Sequence, residues 1–153
     1  PRTRPTVHPS SPRARYRRSW RWRSGTEYDK AWAAFAIAEL VKDATSRAPI
    51  VAAGTLRSLV ELLRVGTEQG KKNAAWAIEE LAKDVLTRAT IVGAGALPPL
   101  MALLHAGSED GNGKAALAIG ELAKDAATRA LLVTASVLPL LVELLRAGTA
   151  DGK

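Results

Sequence analysis

No cysteine occurs among the 153 residues, which excludes disulfides and thiolate metal sites. Histidine is nearly as scarce, with only His8 and His105. A His-containing catalytic triad therefore has one candidate outside the N-terminal stretch, and a multi-histidine zinc site has none. Neither the GxGxxG nor the GxxxxGK[ST] pattern is present, so the Gly-rich loops that cradle nucleotide phosphates are missing. No enzyme activity, cofactor or small-molecule substrate is expected.

Lysine and acidic residues are absent from residues 1–24, where eight arginines stand (Arg2, Arg4, Arg13, Arg15, Arg17, Arg18, Arg21 and Arg23). Beyond this tail the chain carries 14 basic and 15 acidic side chains, so the net charge of +7 belongs to the tail. A nucleic-acid footprint needs basic residues on a folded face, and nucleic acid is expected nowhere except through residues 1–24. Pro, Ser and Arg enrichment without apolar periodicity predicts a disordered tail. Its all-Arg bias with Trp20 and Trp22 also fits a wrongly translated frame. A third reading is an arm for nucleic acid or anionic lipid, or a transit peptide. It lacks the apolar core of a secretory signal.

Charge is also missing from residues 89–108, ATIVGAGALPPLMALLHAGS, a stretch about as long as a transmembrane helix requires. Yet Arg57, Glu61 and Arg64 stand at the matching positions 41 residues earlier, and Glu143 and Arg146 stand 41 later. Gly93, Gly95, Pro98 and Pro99 also interrupt the stretch. It is expected to be two short buried helices and not a membrane span.

What the chain has in excess is repetition. Asp43, Asp84 and Asp125 are 41 residues apart, as are Glu39, Glu80 and Glu121, then Leu40, Leu81 and Leu122, then Arg47, Arg88 and Arg129. Segments 66–106 and 107–147 are identical at 23 of 41 positions. Such a period marks a stack of one supersecondary unit. Each unit reads as three helices. The first follows Gly25-Thr26, Gly66-Thr67 or Gly107-Ser108, whose hydroxyl is an N-cap, and continues through AAFAIAELVKD (33–43), AAWAIEELAKD (74–84) or AALAIGELAKD (115–125). At 100° per residue, Ala74, Ala75, Ile78, Leu81 and Ala82 share one face, and Asn73, Trp76, Glu80 and Lys83 the opposite one. The second helix is short (TRATIV, 87–92) and stops at Gly95, matched by Gly54 and Ser136. The third spans 96–106, with Pro98 in its first turn. Leu100, Leu103 and Leu104 face the core, as do Leu59, Leu62 and Leu63, and Leu141, Leu144 and Leu145. His105 aligns with Arg64 and Arg146 and belongs on a solvated helix face.

Over residues 25–153 the pattern resembles the armadillo repeat family. The likeness is carried by AGALPPLMALL (94–104), its counterpart AGTLRSLVELL (53–63), AAWAIEELA (74–82) and TRATIV (87–92). It implies an all-α, right-handed armadillo-type solenoid of about three 41-residue units behind the disordered tail. The units are 25–65, 66–106 and 107–147, and 148–153 start a further one. The first unit begins at its long helix, because 15–24 bear no likeness to 56–65. The chain is therefore expected to be a piece of a longer array or an imperfect gene model.

Members of this family bind extended peptides or partner proteins in a concave groove lined by the long helices. In importin-α-like members each such helix offers a Trp that flanks basic side chains and, four residues later, an Asn that clamps the peptide backbone. The matching positions are Phe35 and Glu39, Trp76 and Glu80, and Leu117 and Glu121. Ionised Glu accepts but cannot donate, so the Asn clamp is lost. Three glutamates at one-unit spacing would form an acidic ladder for Lys or Arg of a partner. The competing reading pairs them with Lys42, Lys83 and Lys124 as exposed helix charges.

The resemblance thus implies a non-enzymatic protein-interaction module, cytoplasmic or nuclear, binding an extended or helical segment. The groove candidates are Phe35, Glu39, Asn73, Trp76, Glu80, Lys83, Leu117 and Glu121. Alternatives are the recognition part of a larger enzyme such as a ubiquitin ligase, a nuclear-import adaptor-like fragment, and a structural spacer.

Overall fold

A computed structural model describes residues 26–150; the N-terminal tail lies outside them. Among the described residues there are nine helices and no strand: α1 (Glu27–Leu40), α2 (Ala44–Ala52), α3 (Thr55–Val65), α4 (Glu68–Ala82), α5 (Val85–Gly93), α6 (Leu97–Ala106), α7 (Glu109–Leu122), α8 (Ala126–Thr134) and α9 (Val137–Ala150). Three helices make each unit: a long one, a short one, and a third of 11, 10 and 14 residues in the successive units.

The residues that recur every 41 positions build the corners. Thr26, Thr67 and Ser108 accept hydrogen bonds from the N–H groups of Asp29, Gly70 and Gly111 at 3.1, 3.2 and 3.2 Å, so each caps a long helix. Asp43 and Asp84 do the same for the short helices, accepting from Thr45 and Leu86 N–H at 3.1 Å. This cap starts α5 at Val85, two residues before the TRATIV motif. Arg47 and Arg88 reach back, their Nε groups donating to the Val41 and Ala82 carbonyls at 2.9 and 2.8 Å. Those carbonyls end a long helix and have no helical partner. Asp and Arg together therefore pin the long helix to the short one.

The next corner needs a left-handed residue. Gly54 and Gly95 have φ of 80° and 84°, and Ser136 takes the position in the third unit at φ 63°. The bend between α5 and α6 is 84°. It divides the uncharged stretch, and no single described helix is long and apolar enough to cross a membrane.

The long helices α1, α4 and α7 pack side by side, and α3 and α6 each pack on the long helix that follows. Alanines at 38, 74, 75, 77, 82, 115 and 118 are fully buried, and their small side chains let the long helices approach closely. Leu59, Ile78, Leu81, Leu100, Leu104 and Leu122 fill the space between layers. Each contributes roughly 1.5–3 kcal/mol through its burial.

Three expectations change here. Helix α4 is not two-faced: α1 and α7 flank it on both sides, so Asn73 and Glu80 are buried along with Ile78 and Leu81. In the third unit Leu145 is 72% exposed, and Leu141 and Leu144 are only half-buried, because no later helix among the described residues packs on α9. Residues 148–150 also prolong α9 where a new unit was expected to begin.

Candidate functional site

Tyr28, Trp32 and Phe35 lie at i, i+4 and i+7 on α1, a spacing that stacks them along one helix face. Their rings meet edge to face, with centroids 5.9 and 5.7 Å apart. Phe35 then meets Trp76 of α4 at 5.5 Å. The four rings form one continuous row across the first two units. Tyr28, Trp32 and Phe35 are 70%, 53% and 38% exposed, while Trp76 is half-buried. A cavity of about 480 Å³ opens beside them, lined by Tyr28, Trp32 and Phe35 together with Ala31, Thr67, Gln69 and Asn73. A second cavity, about 580 Å³, lies elsewhere, between α3, α4 and α6. It contains no aromatic side chain, and the smaller one is the better anchor site.

Lysines from both neighbouring units converge on Trp76. Lys42 Nζ lies 5.1 Å and Lys114 Nζ 5.2 Å from its ring centroid, within cation–π range. Each glutamate of the expected ladder also has a lysine of its own. Lys42 is 3.0 Å from Glu39, Lys83 donates to Glu80 Oε1 at 2.9 Å, and Lys124 Nζ stands 2.8 Å from Glu121 Oε2. Glu121 Oε2 is buried, with the Lys124 ammonium as its ion-pair partner. The three carboxylates differ in setting. Glu39 is exposed on the edge helix, whereas Glu80 is 7% exposed between α1 and α7.

Glu79 joins this group one position before Glu80. Burial raises its carboxyl above the usual range, and Lys114 opposes the shift. Its Oε2 is buried without a hydrogen bond, 3.9 Å from Lys114 Nζ. The face therefore alternates acid and base, with one buried carboxylate oxygen each at Glu79 and Glu121.

Asn73 does not belong to the exposed set. It is 4% exposed, its Nδ2 donates to the Ala31 carbonyl at 2.8 Å, and its Oδ1 accepts from Gln69 at 3.1 Å. It clamps α4 to α1. Lys83 is exposed, and Leu117 is 51% exposed on α7. Phe35, Glu39, Trp76, Glu80 and Lys83 thus lie close together, while Leu117 and Glu121 extend the face onto the third unit. Tyr28 and Trp32 are not among the sequence-derived candidates, and the signal that points to them is the i, i+4, i+7 series ending at Phe35. The contact of Lys42 with Trp76 and the pairing of Lys114 with Glu79 gave no such signal, since these partners lie in different units. Among the described residues no group of His, Asp and Glu is placed to hold a metal ion.

The geometry agrees with known proteins. A designed armadillo repeat protein solved with the peptide (KR)4 is 31% identical, with a TM-score of 0.74 over 80% of this chain and 52% of that one. Computationally designed armadillo repeat proteins for modular peptide recognition match equally, at 31% and 0.74 over the same shares. Another designed armadillo repeat protein is 28% identical, with a TM-score of 0.75 over 84% of this chain and 55% of that one. The chain spans about half the length of these structures. No curated protein matches it significantly. The Armadillo/beta-catenin-like repeat profile matches residues 46–83 and 86–124, and the chain belongs to the armadillo repeat family.

Proposed function

We propose that the face formed by α1, α4 and α7 is a non-enzymatic binding surface for an extended or helical segment of a partner protein. The observation that carries this is the partly exposed aromatic row from Tyr28 to Trp76 beside its own cavity. Aromatic side chains of this kind dominate interface energetics. An apolar or aromatic partner side chain would enter the cavity at Tyr28, Trp32 and Phe35. Basic side chains would follow along Glu39, Glu80 and Glu121, replacing Lys42, Lys83 and Lys124. The designed relative that was solved with (KR)4 supports a Lys/Arg-rich segment. The internal lysines oppose it, because each incoming cation must displace one already in place.

The test is titration of labelled peptides: Lys/Arg-rich, the same with one aromatic residue, and neutral. The basic peptide with the aromatic should bind most tightly, and rising salt should weaken it. Trp76→Ala should cost about 2 kcal/mol or more, as for an aromatic anchor, and Glu80→Gln less. Equal binding of the neutral peptide, or no response to either substitution, would refute the assignment.

A further inference from the structure

We infer that the partner is an extended segment of alternating charge, with an acidic residue beside each basic one. This rests on the binding face proposed above and names what that face selects. The three long helices carry their side chains in rows. Phe35, Trp76 and Leu117 form an apolar row, Glu39, Glu80 and Glu121 follow four residues later, and Lys42, Lys83 and Lys124 stand three residues after those. At 1.5 Å per residue, the acidic row lies about 6 Å along the helix axes from the apolar one, and the basic row about 4.5 Å further on.

The two charged rows are not equivalent at the surface. The Glu80 and Glu121 side chains are 9% and 19% exposed, and the lysines paired with them 41% and 58%. Ammonium groups therefore form the outer layer and carboxylates the layer beneath. Glu79 and Lys114 repeat this order at the junction of α4 and α7, with Lys114 the more exposed of the two. Charge on the face also balances. Glu39, Glu79, Glu80 and Glu121 stand against Lys42, Lys83, Lys114 and Lys124, each carboxylate within 3.9 Å of an ammonium.

A wholly basic segment meets this arrangement badly. Each cation that reaches a glutamate expels a lysine, and the expelled ammonium stays on the face beside the incoming charge. The number of ion pairs is unchanged, while like charges are brought together at a cost in affinity. A carboxylate on the segment removes that cost: the displaced lysine moves onto it, and two pairs stand where one stood. Extended backbone supplies the geometry. Successive side chains point to opposite sides, so strict alternation aims every base at the acidic row and every acid at the basic row. Side chains on one side recur about every 7 Å, and packed helices lie about 8–10 Å apart. Long, flexible Lys, Arg and Glu side chains span that difference over three units. An aromatic residue seated against Tyr28, Trp32 and Phe35 fixes the register.

The experiment titrates the full chain with labelled peptides of equal length that share one aromatic residue. One is all-basic, one alternates Lys and Glu, one has the same Lys and Glu gathered into two blocks, and one is neutral. The alternating peptide should bind about tenfold more tightly than the all-basic one, the gain from one partly exposed ion pair per unit. It should also bind more tightly than the block peptide, whose net charge is identical. Lys83→Met and Lys124→Met keep an unbranched side chain at exposed positions, and unchanged melting curves would show that both variants fold. Each should cut the advantage of the alternating peptide over the all-basic one about twofold, by removing one of three such pairs. Both should tighten the all-basic peptide, which no longer has that lysine to displace. An alternating peptide no tighter than the block peptide, or an advantage untouched by both substitutions, would overturn the inference and leave the binding face standing. Charged peptides that all bind as weakly as the neutral one would overturn the binding face itself, and the inference with it.

Discussion

Replacing Asn73 separates a structural clamp from a binding residue. Its amide makes two hydrogen bonds at a nearly dry junction, 2.8 Å to the Ala31 carbonyl on α1 and 3.1 Å from Gln69. A net contribution of about 1 kcal/mol for each puts Asn73→Ala at roughly 2 kcal/mol of lost stability. For a stack of this size that is a fall in Tm on the order of 5–10 °C. Asn73→Asp should cost more, because a carboxylate cannot donate to the Ala31 carbonyl and would sit buried and charged. The loss should also be local. Units touch only their neighbours, so amide exchange should quicken in α1 to α3 and change little in α7. Thermal melts give the magnitude, and hydrogen exchange followed residue by residue gives the location. An unchanged Tm for Asn73→Ala would refute the reasoning, as would a uniform loss of protection across all three units.

Two further predictions concern the backbone and a carboxylate. Ser136→Gly should stabilise by about 0.5 kcal/mol, since relief from the left-handed conformation (about 1–2 kcal/mol) exceeds the added chain entropy of Gly (about 0.5–1 kcal/mol); Gly95→Ala should destabilise by about 1 kcal/mol in the same denaturant titration. Burial raises the Glu79 carboxyl, so its contribution is fully present below its unfolded value of about 4.3 and is lost as pH rises through the folded value. Glu79→Gln should therefore increase stability at neutral pH and flatten the decline above about pH 4, in contrast to Asp43, whose carboxyl is lowered by its hydrogen bonds to Thr45 and whose contribution is lost as pH falls. A Tm that follows the same pH curve with and without Glu79 would contradict this.

Much of the candidate face was legible because it follows helical spacing. Phe35, Trp76 and Leu117 share one position of the repeat, Glu39, Glu80 and Glu121 another, and the lysines three residues further on predicted the pairing that the structure contains. Asn73 was misplaced for a simple reason. A helical projection sorts residues into two faces, but α4 has neighbours on both flanks and keeps only a narrow edge open. Glu80 is buried for the same reason, while Glu39 on the edge helix is exposed.

By itself, the sequence determined the period, the three-helix unit and its corners. Each depends on neighbours within one unit: a hydroxyl three residues or an Asp two residues ahead of the N–H it caps, a Gly where φ is positive, leucines at helical spacing. Only the tertiary structure decided what crosses between units. Asn73 meets Ala31, and Lys42 and Lys114 meet at Trp76, at separations on the order of one period. The repeat sets which positions oppose one another, but side-chain length and burial decide which of them touch. Whether a given residue is clamp, core or binding surface follows from how many long helices flank its own.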